Sequence, residues 1–213
     1  MFRIFALCAL ALPLAARAAN GSVAGKVSSA ADAGAVVVYV EKGPAEGAGD
    51  PGTARHEVLQ HHGQFEPQAL WVRAGDNVDF VNDDNIYHNV FSPTQGSSFD
   101  LGLYRGGVRK TVQMKTPGEV EVFCNIHPDM HARMLVIPAG SRAVAAGRDG
   151  AYKLDGLTSG SYTLVAWSSA SEPARAQVEV KPGQEAKADF KLKPRAPEGP
   201  HLNKNGEQYG RYK

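Results

Sequence analysis

The segment Phe123-Cys124-Asn125-Ile126-His127-Pro128-Asp129-Met130 sets a thiol, an imidazole and a thioether at the spacing C-x2-H-x2-M. Thiolate and thioether select Cu(I), while imidazole serves both oxidation states. Three soft or borderline donors this close together therefore suit copper better than any other first-row ion. A trigonal copper centre that exchanges electrons needs one more histidine. His88, in Asn82-Asp83-Asp84-Asn85-Ile86-Tyr87-His88-Asn89-Val90, supplies it if both segments are strands of one sandwich. Zinc would accept the same cysteine and histidines, yet it gains little from methionine.

The thiol needs a strand to aim it. In residues 119–124 the period of two puts Val120, Val122 and Cys124 on one face and Glu119 and Glu121 on the other, so the thiol points inward at the end of a strand. Short β-prone runs at 56–60, 69–73, 78–81, 88–91, 108–114 and 132–137 surround it. Turn signals such as His62-Gly63, Ala74-Gly75-Asp76 and Thr116-Pro117-Gly118 separate them. Residues 99–107 are glycine-rich and expected to be irregular. Two valine-rich strands are expected within 20–41, followed by a linker over 42–53 that carries Gly43-Pro44, Gly47, Gly49 and Asp50-Pro51-Gly52. After Pro138-Ala139-Gly140, residues 143–192 form a second run of short strands punctuated by Asp149-Gly150, Asp155-Gly156, Ser159-Gly160 and Pro182-Gly183. No amphipathic helix of useful length is visible, so the fold class is all-β. The tail, 194–213, has hardly any apolar residue and is expected to be disordered.

Composition narrows the function classes. The 213 residues are 43% apolar, enough for one or two real cores. Residues 1–18 read as a secretory signal: Arg3 charges the start, an apolar run too short to span a bilayer follows, and Ala16-Arg17-Ala18 is an A-x-A-type cleavage site. Cleavage would remove Arg3 and Arg17 and turn 23 basic against 22 acidic residues into 21 against 22. Near-neutrality gives no electrostatic case for nucleic acid, and no membrane span is expected once the signal is gone. Cys124 would then be the sole cysteine of an exported chain, and a metal gives such an odd thiol a reason to be there.

Residues 54–138 resemble the cupredoxins, the small blue copper proteins. Phe65-Glu66-Pro67, Ala74-Gly75-Asp76, Phe80-Val81-Asn82, His88-Asn89-Val90, Thr116-Pro117-Gly118 and the segment 123–130 carry the resemblance. The C-x2-H-x2-M spacing looks most like amicyanin; in plastocyanin the methionine falls two residues later, where this chain has Ala132. The phrases around His88 and Cys124 also resemble exported proteins labelled methylamine-utilisation or plastocyanin-like. The resemblance implies a Greek-key β-sandwich with one type 1 copper ion. His88, Cys124 and His127 would be the strong ligands, Met130 the long axial one, and Asn89 the residue that braces the ligand loops.

The flanking pieces, 20–42 and 143–193, resemble two halves of a carboxypeptidase-regulatory-like, or transthyretin-like, sandwich. Gly21-Ser22-Val23 or Gly25-Lys26-Val27 matches its opening, and Asp149-Gly150-Ala151-Tyr152-Lys153-Leu154-Asp155-Gly156-Leu157 through Gly160-Ser161-Tyr162-Thr163-Leu164 its later part. The expected organisation is a copper domain inserted into a smaller sandwich. The plainer alternative makes 20–42 an edge of the cupredoxin.

Other residues invite blander readings. Met134 alternates with Val136 and fits core packing, His131 a rim position, and Trp71 and Trp167 sheet-face packing. His56, His61 and His62 could be a second metal site, but neighbours along a strand point to opposite faces. Asp83 and Asp84 read as a solvated loop. The expected function is a periplasmic electron carrier between unidentified redox protein partners, not an enzyme. A copper carrier or storage protein, or a surface-interaction sandwich with a structural metal, are the alternatives.

Overall fold

A computed structural model describes residues 20–29, 34–44, 52–196 and 199–209. The expected signal, 1–18, lies outside the described residues. The architecture is all-β, and among the described residues no helix is long and apolar enough to cross a membrane.

Strands β1 (Gly21–Ser28) and β2 (Val37–Lys42) open the chain. The middle segment then contributes β3 (Arg55–His61), β4 (Gln64–Glu66), β5 (Ala69–Arg73), β6 (Asn77–Asn82), β7 (His88–Ser92), β8 (Phe99–Tyr104), β9 (Arg109–Gln113), β10 (Gly118–Cys124) and β11 (His131–Ile137). The last part adds β12 (Ala143–Ala145), β13 (Ala151–Leu157), β14 (Gly160–Trp167), β15 (Ser171–Glu172), β16 (Ala174–Val180), β17 (Glu185–Lys187), β18 (Phe190–Lys191) and β19 (Lys193–Pro194).

The middle segment forms one sandwich from sheets ordered β4-β3-β6-β9 and β5-β11-β10-β7-β8. Phe65, Val78, Phe80, Val90, Val120, Val122, Met134 and Val136 fill the space between them, with Cys124 and Met130 at one end. Alternation decides what lies inside. On β10 the valines and Cys124 are buried, while Glu119, Glu121 and Phe123 turn to the opposite face.

The flanking strands pair with each other across the middle segment. β1 lies antiparallel to β13 and parallel to β17, and β2 lies between β12 and β14, with β16 beyond. Neither β1 nor β2 pairs with a described strand of the middle segment. Val23, Val38, Val40, Leu154, Leu157, Tyr162, Leu164 and Phe190 form this second core. β1 also changes partner, from β17 to β18, at a point where a Cβ on Gly25 would lie 1.8 Å from the Ala188 carbonyl oxygen, so only glycine fits there.

The two sandwiches share a third apolar layer. β11 turns Ala132, Met134 and Val136 into its own core and Leu135 and Ile137 outward, where they meet Val37 and Tyr39 of β2 and Val165 and Trp167 of β14. β11 is thereby buried on both faces. Burying such side chains contributes about 1.5–3 kcal/mol each, which binds the two cores into one stack. Trp167 Nε1 donates to Glu119 Oε1 at 3.0 Å, which satisfies the polar edge of a residue read as sheet-face packing.

Two expectations need correction. The run 99–107 is a strand to Tyr104 rather than irregular: Gly102, at φ +64°, is absorbed where the β7–β8 register shifts, and its N–H donates to Asp100 Oδ1 at 2.8 Å. The tail does not read as disorder over its described part. β19 pairs with β15, and residues 201–209 make hydrogen bonds and ring contacts on the middle sandwich.

Candidate metal centre

β10 and β7 run side by side, with Cys124 opposite Val90 and Phe123 opposite Phe91. That register brings the end of β10 to the start of β7 and so unites residues 36 apart in sequence. The His88 Nδ1 lies 3.6 Å and the His127 Nδ1 3.4 Å from Cys124 Sγ. The ligating atoms of these three residues all lie within 4.8 Å of one another, the one such group of metal-binding side chains among the described residues. His88 and Cys124 are fully buried and His127 partly so.

Met130 is fully buried in the same cluster as Cys124. Its carbonyl accepts the Cys124 N–H at 3.1 Å, and its own N–H donates to the His127 carbonyl at 3.1 Å. The segment after the strand thus folds back on the cysteine in one tight turn. Asn89 acts on this loop through its main chain: its carbonyl accepts the Asn125 N–H at 2.8 Å, and its backbone N–H reaches the Cys124 sulfur. Its side chain instead donates to Asp100 Oδ1 at 2.6 Å, which ties β7 to β8.

The donor set fits a single metal ion. Two ligands at about 2.0 and 2.3 Å from one ion, at a tetrahedral angle, lie roughly 3.5 Å apart, close to both observed N–S spacings. Burial pushes the Cys124 thiol up, against the opposing backbone N–H groups of Asn89, Ile126 and His127, so a cation is what would hold it as a thiolate. Burial, with the neighbouring His88, pushes His127 down and keeps its ring neutral, the form that binds metal.

Asp84 joins this site. Its Oδ2 lies 2.9 Å from His88 Nε2, the nitrogen turned away from the sulfur. The same carboxylate accepts the His62 N–H at 2.7 Å and the Gly63 N–H at 2.9 Å. Burial would raise its pKa, but these donors and the His88 ring hold it below the ordinary carboxylate value. A carboxylate on Nε2 puts the proton there and leaves Nδ1 as the free donor atom facing Cys124. Asp84 was read as part of a solvated loop. Its position four residues before His88 was the available signal, but aspartates in polar turns usually serve the turn itself.

The remaining candidates lie elsewhere. His56 bonds Asp76 and His61 bonds Asp83, each at 3.0 Å. The rings of His61 and His62 sit 3.8 Å apart; alternation fails for this pair because His62 begins a turn, at φ +52°. Met134 packs in the core, and His131 lies at the rim, paired with Glu121 and stacked on Phe123.

No protein-family model matches the chain. Over 73 residues it is 32% identical to the methylamine utilization protein MauL of Methylorubrum extorquens, which covers 34% of this chain and 64% of that protein. The chain thus spans less than two thirds of the curated relative it matches. Among solved structures it is similar to a copper-containing nitrite reductase from Thermus scotoductus (27% identity, TM-score 0.38, 43% of this chain and 24% of that one). It is also similar to a purple cupredoxin from Nitrosopumilus maritimus (20% identity, TM-score 0.35, 38% and 98%) and to a Cu(I) form of an amicyanin mutant (19% identity, TM-score 0.37, 38% and 81%).

Proposed function

We propose that this protein is an exported type 1 copper protein that carries single electrons between redox protein partners. His88, Cys124, His127 and Met130 would hold one copper ion. The observation that carries this reading is the convergence of two Nδ1 atoms on one buried cysteine sulfur.

Copper would supply a one-electron Cu(I)/Cu(II) couple. The chain's own part is to hold a donor set between the preferences of the two oxidation states, so that an electron moves with little rearrangement. β10 fixes the thiol, β7 and Asp84 fix the His88 ring, and the turn from His127 to Met130 fixes the other two. Burial of His88, Cys124 and Met130 keeps water away from the ion. Four protein donors would leave no open coordination position, so we read the protein as a carrier of electrons and not an enzyme. His127, the partly exposed member, offers the route for electrons. Exposed Ile86 and Tyr87 just before His88, with exposed Leu103 opposite Asn89, add apolar surface at the ligand end on which a partner could dock.

We read residues 20–42 and 143–193 as one transthyretin-like sandwich into which the copper sandwich, 54–138, is inserted; the pairings of β1 with β13 and of β2 with β14 support this. The sequence pattern of residues 1–18 supports export to the periplasm.

The test is the visible and electron spin resonance spectrum of residues 19–213 titrated with Cu(II), alongside Cys124→Ser. One copper per chain is expected, with an intense thiolate charge-transfer colour that reductant bleaches reversibly and the substitution abolishes. A chain that stays colourless with Cu(II) but takes up Cu(I) or zinc would overturn the electron-carrier reading.

A further inference from the structure

The C-terminal segment crosses the chain's most function-laden loop from outside. His201 Nε2 lies 3.2 Å from the carbonyl of His127 and Nδ1 2.8 Å from the carbonyl of Leu202, so the tautomer with its proton on Nε2 is the one that donates to the ligand loop. The Tyr209 hydroxyl donates to the carbonyl of Cys124 at 2.8 Å, and the Lys204 N–H donates to Asn125 Oδ1 at 2.8 Å. Three residues of the ligand loop, 124, 125 and 127, are therefore gripped by three residues of the tail.

The grip has its own internal scaffold. Asn203 turns the segment: its Oδ1 accepts the N–H groups of Asn205 and Glu207 at 2.9 and 3.0 Å, and its N–H donates to the Glu207 carbonyl at 2.8 Å. The turn brings both feet together, with the Tyr209 ring edge-on to His201 at 5.3 Å. The His201 ring stacks on Phe123 at 4.4 Å, and Lys204 Nζ pairs with Asp100 Oδ2 at 2.6 Å. Asp100 is the residue that also holds the Asn89 side chain. The tail thus reaches the second bracing element of the ligand loops as well as the loop itself.

None of these tail residues enters a hydrophobic core, and their bonds fall on the loop that bears the ligands and on Asp100 of β8. We propose that residues 201–209 are a positioning strap: they hold the loop 124–127 in its ligating shape and thereby slow the exit and entry of the metal ion. The strap does not ligate. It acts through the carbonyls of Cys124 and His127 and through Asn125, so releasing it lets the loop open without disturbing the fold of either sandwich. Its kinetic consequence rests on the copper reading; its effect on the loop does not.

The experiment compares residues 19–213 with three variants: a chain ending at Ala196, Tyr209→Phe, which removes one hydroxyl, and His201→Gln, which keeps an N–H donor. The first measurement is amide hydrogen exchange on metal-free protein. The Asn125 and Met130 amides, which donate to Asn89 and His127, should lose protection on the order of tenfold in the shortened chain. Tyr209→Phe should lose severalfold and His201→Gln less, and the urea midpoint should fall only by the matching free energy, because the unfolded chain also lacks the strap's contacts. Unchanged protection of the loop amides in the shortened chain would overturn the proposal, and so would a fall in global stability larger than the loop's own loss. The second measurement is transfer of bound Cu(I) to an excess of chelator, expected on the order of tenfold faster without the strap. Equal transfer rates would overturn the kinetic claim. If the unaltered protein took up no copper, the copper reading would fail, and the exchange measurement would still decide whether the strap holds the loop.

Discussion

Replacing Asp84 by Asn isolates what a carboxylate does for His88. The Asp84 Oδ2 faces two N–H groups, His88 Nε2 and Gly63 N, and Oδ1 faces a third, His62 N. An asparagine amide has one oxygen and one NH2, so in either orientation its NH2 faces at least one donor. With the amide oxygen kept on His62, the NH2 points at His88. The ring can answer by moving its proton from Nε2 to Nδ1, so that Nε2 accepts. That places a hydrogen on the atom 3.6 Å from the Cys124 sulfur, the one proposed to bind the metal. Outer partners of metal-bound histidine typically carry a tenfold to hundredfold share of affinity, about 1.4–2.7 kcal/mol at 1.36 kcal/mol per tenfold step. Copper affinity of Asp84→Asn should fall by that range in competition with a chelator. Nitrogen NMR of the metal-free protein should show the His88 proton on Nδ1 in the variant and on Nε2 in the parent. An affinity within about threefold of the parent, with the proton still on Nε2, would refute the reasoning.

Two predictions concern stability. Asp79 is buried on β6 and accepts from Arg109 Nη1 and Thr111 Oγ1, each at 2.6 Å, and pairs with Arg55; against the upward push of burial, these donors bring its pKa down to about 2. Because the folded value lies below the unfolded one, the stabilisation is complete above about pH 4 and is lost as the pH falls toward 2. Half-exposed arginines leave it at about 1–2 kcal/mol after screening. Urea unfolding of Asp79→Asn and the parent should differ by that amount at pH 7 and converge near pH 2, and a difference that stays constant with pH would contradict it. Leu135→Ala empties part of the layer between β11 and the sheet of β2 and β14, at a cost of about 2–4 kcal/mol by urea unfolding. Met134 and Ala132, on the other face of β11, should keep the copper spectrum as it is; a loss below about 1 kcal/mol would mean the two sandwiches are not joined through this layer.

What could be read from the sequence follows the range of the signal. The inward aim of Cys124 is a local property, fixed by the alternation of Val120 and Val122, and the structure has it so. The burial of Met134 was legible for the same reason. Asp84 was not legible, because its role depends on the parallel register of β3 and β6 that sets the turn at His62 and Gly63 beside it. The tail was misjudged because composition weighs apolar content, whereas this segment is held by two rings and a few directional bonds on a surface that only the folded loop creates. The strand at 99–104 was missed since glycine counts against a strand unless a bulge is there to use it.

The way β1 and β2 pair has a consequence for how the protein is made. Their partners β13 and β14 lie more than a hundred residues downstream. At a synthesis rate of roughly 5–20 residues per second, the valine-rich strand around Val37 to Val40 leaves the ribosome several seconds or more before β14 exists. The middle sandwich holds all its own strand partners and is free to close during that interval, so the nascent chain passes through a stage with one finished core and an orphaned sticky edge. Such edges invite pairing with other chains. Keeping that segment covered during synthesis is therefore a requirement of this topology, independent of whatever the finished molecule binds.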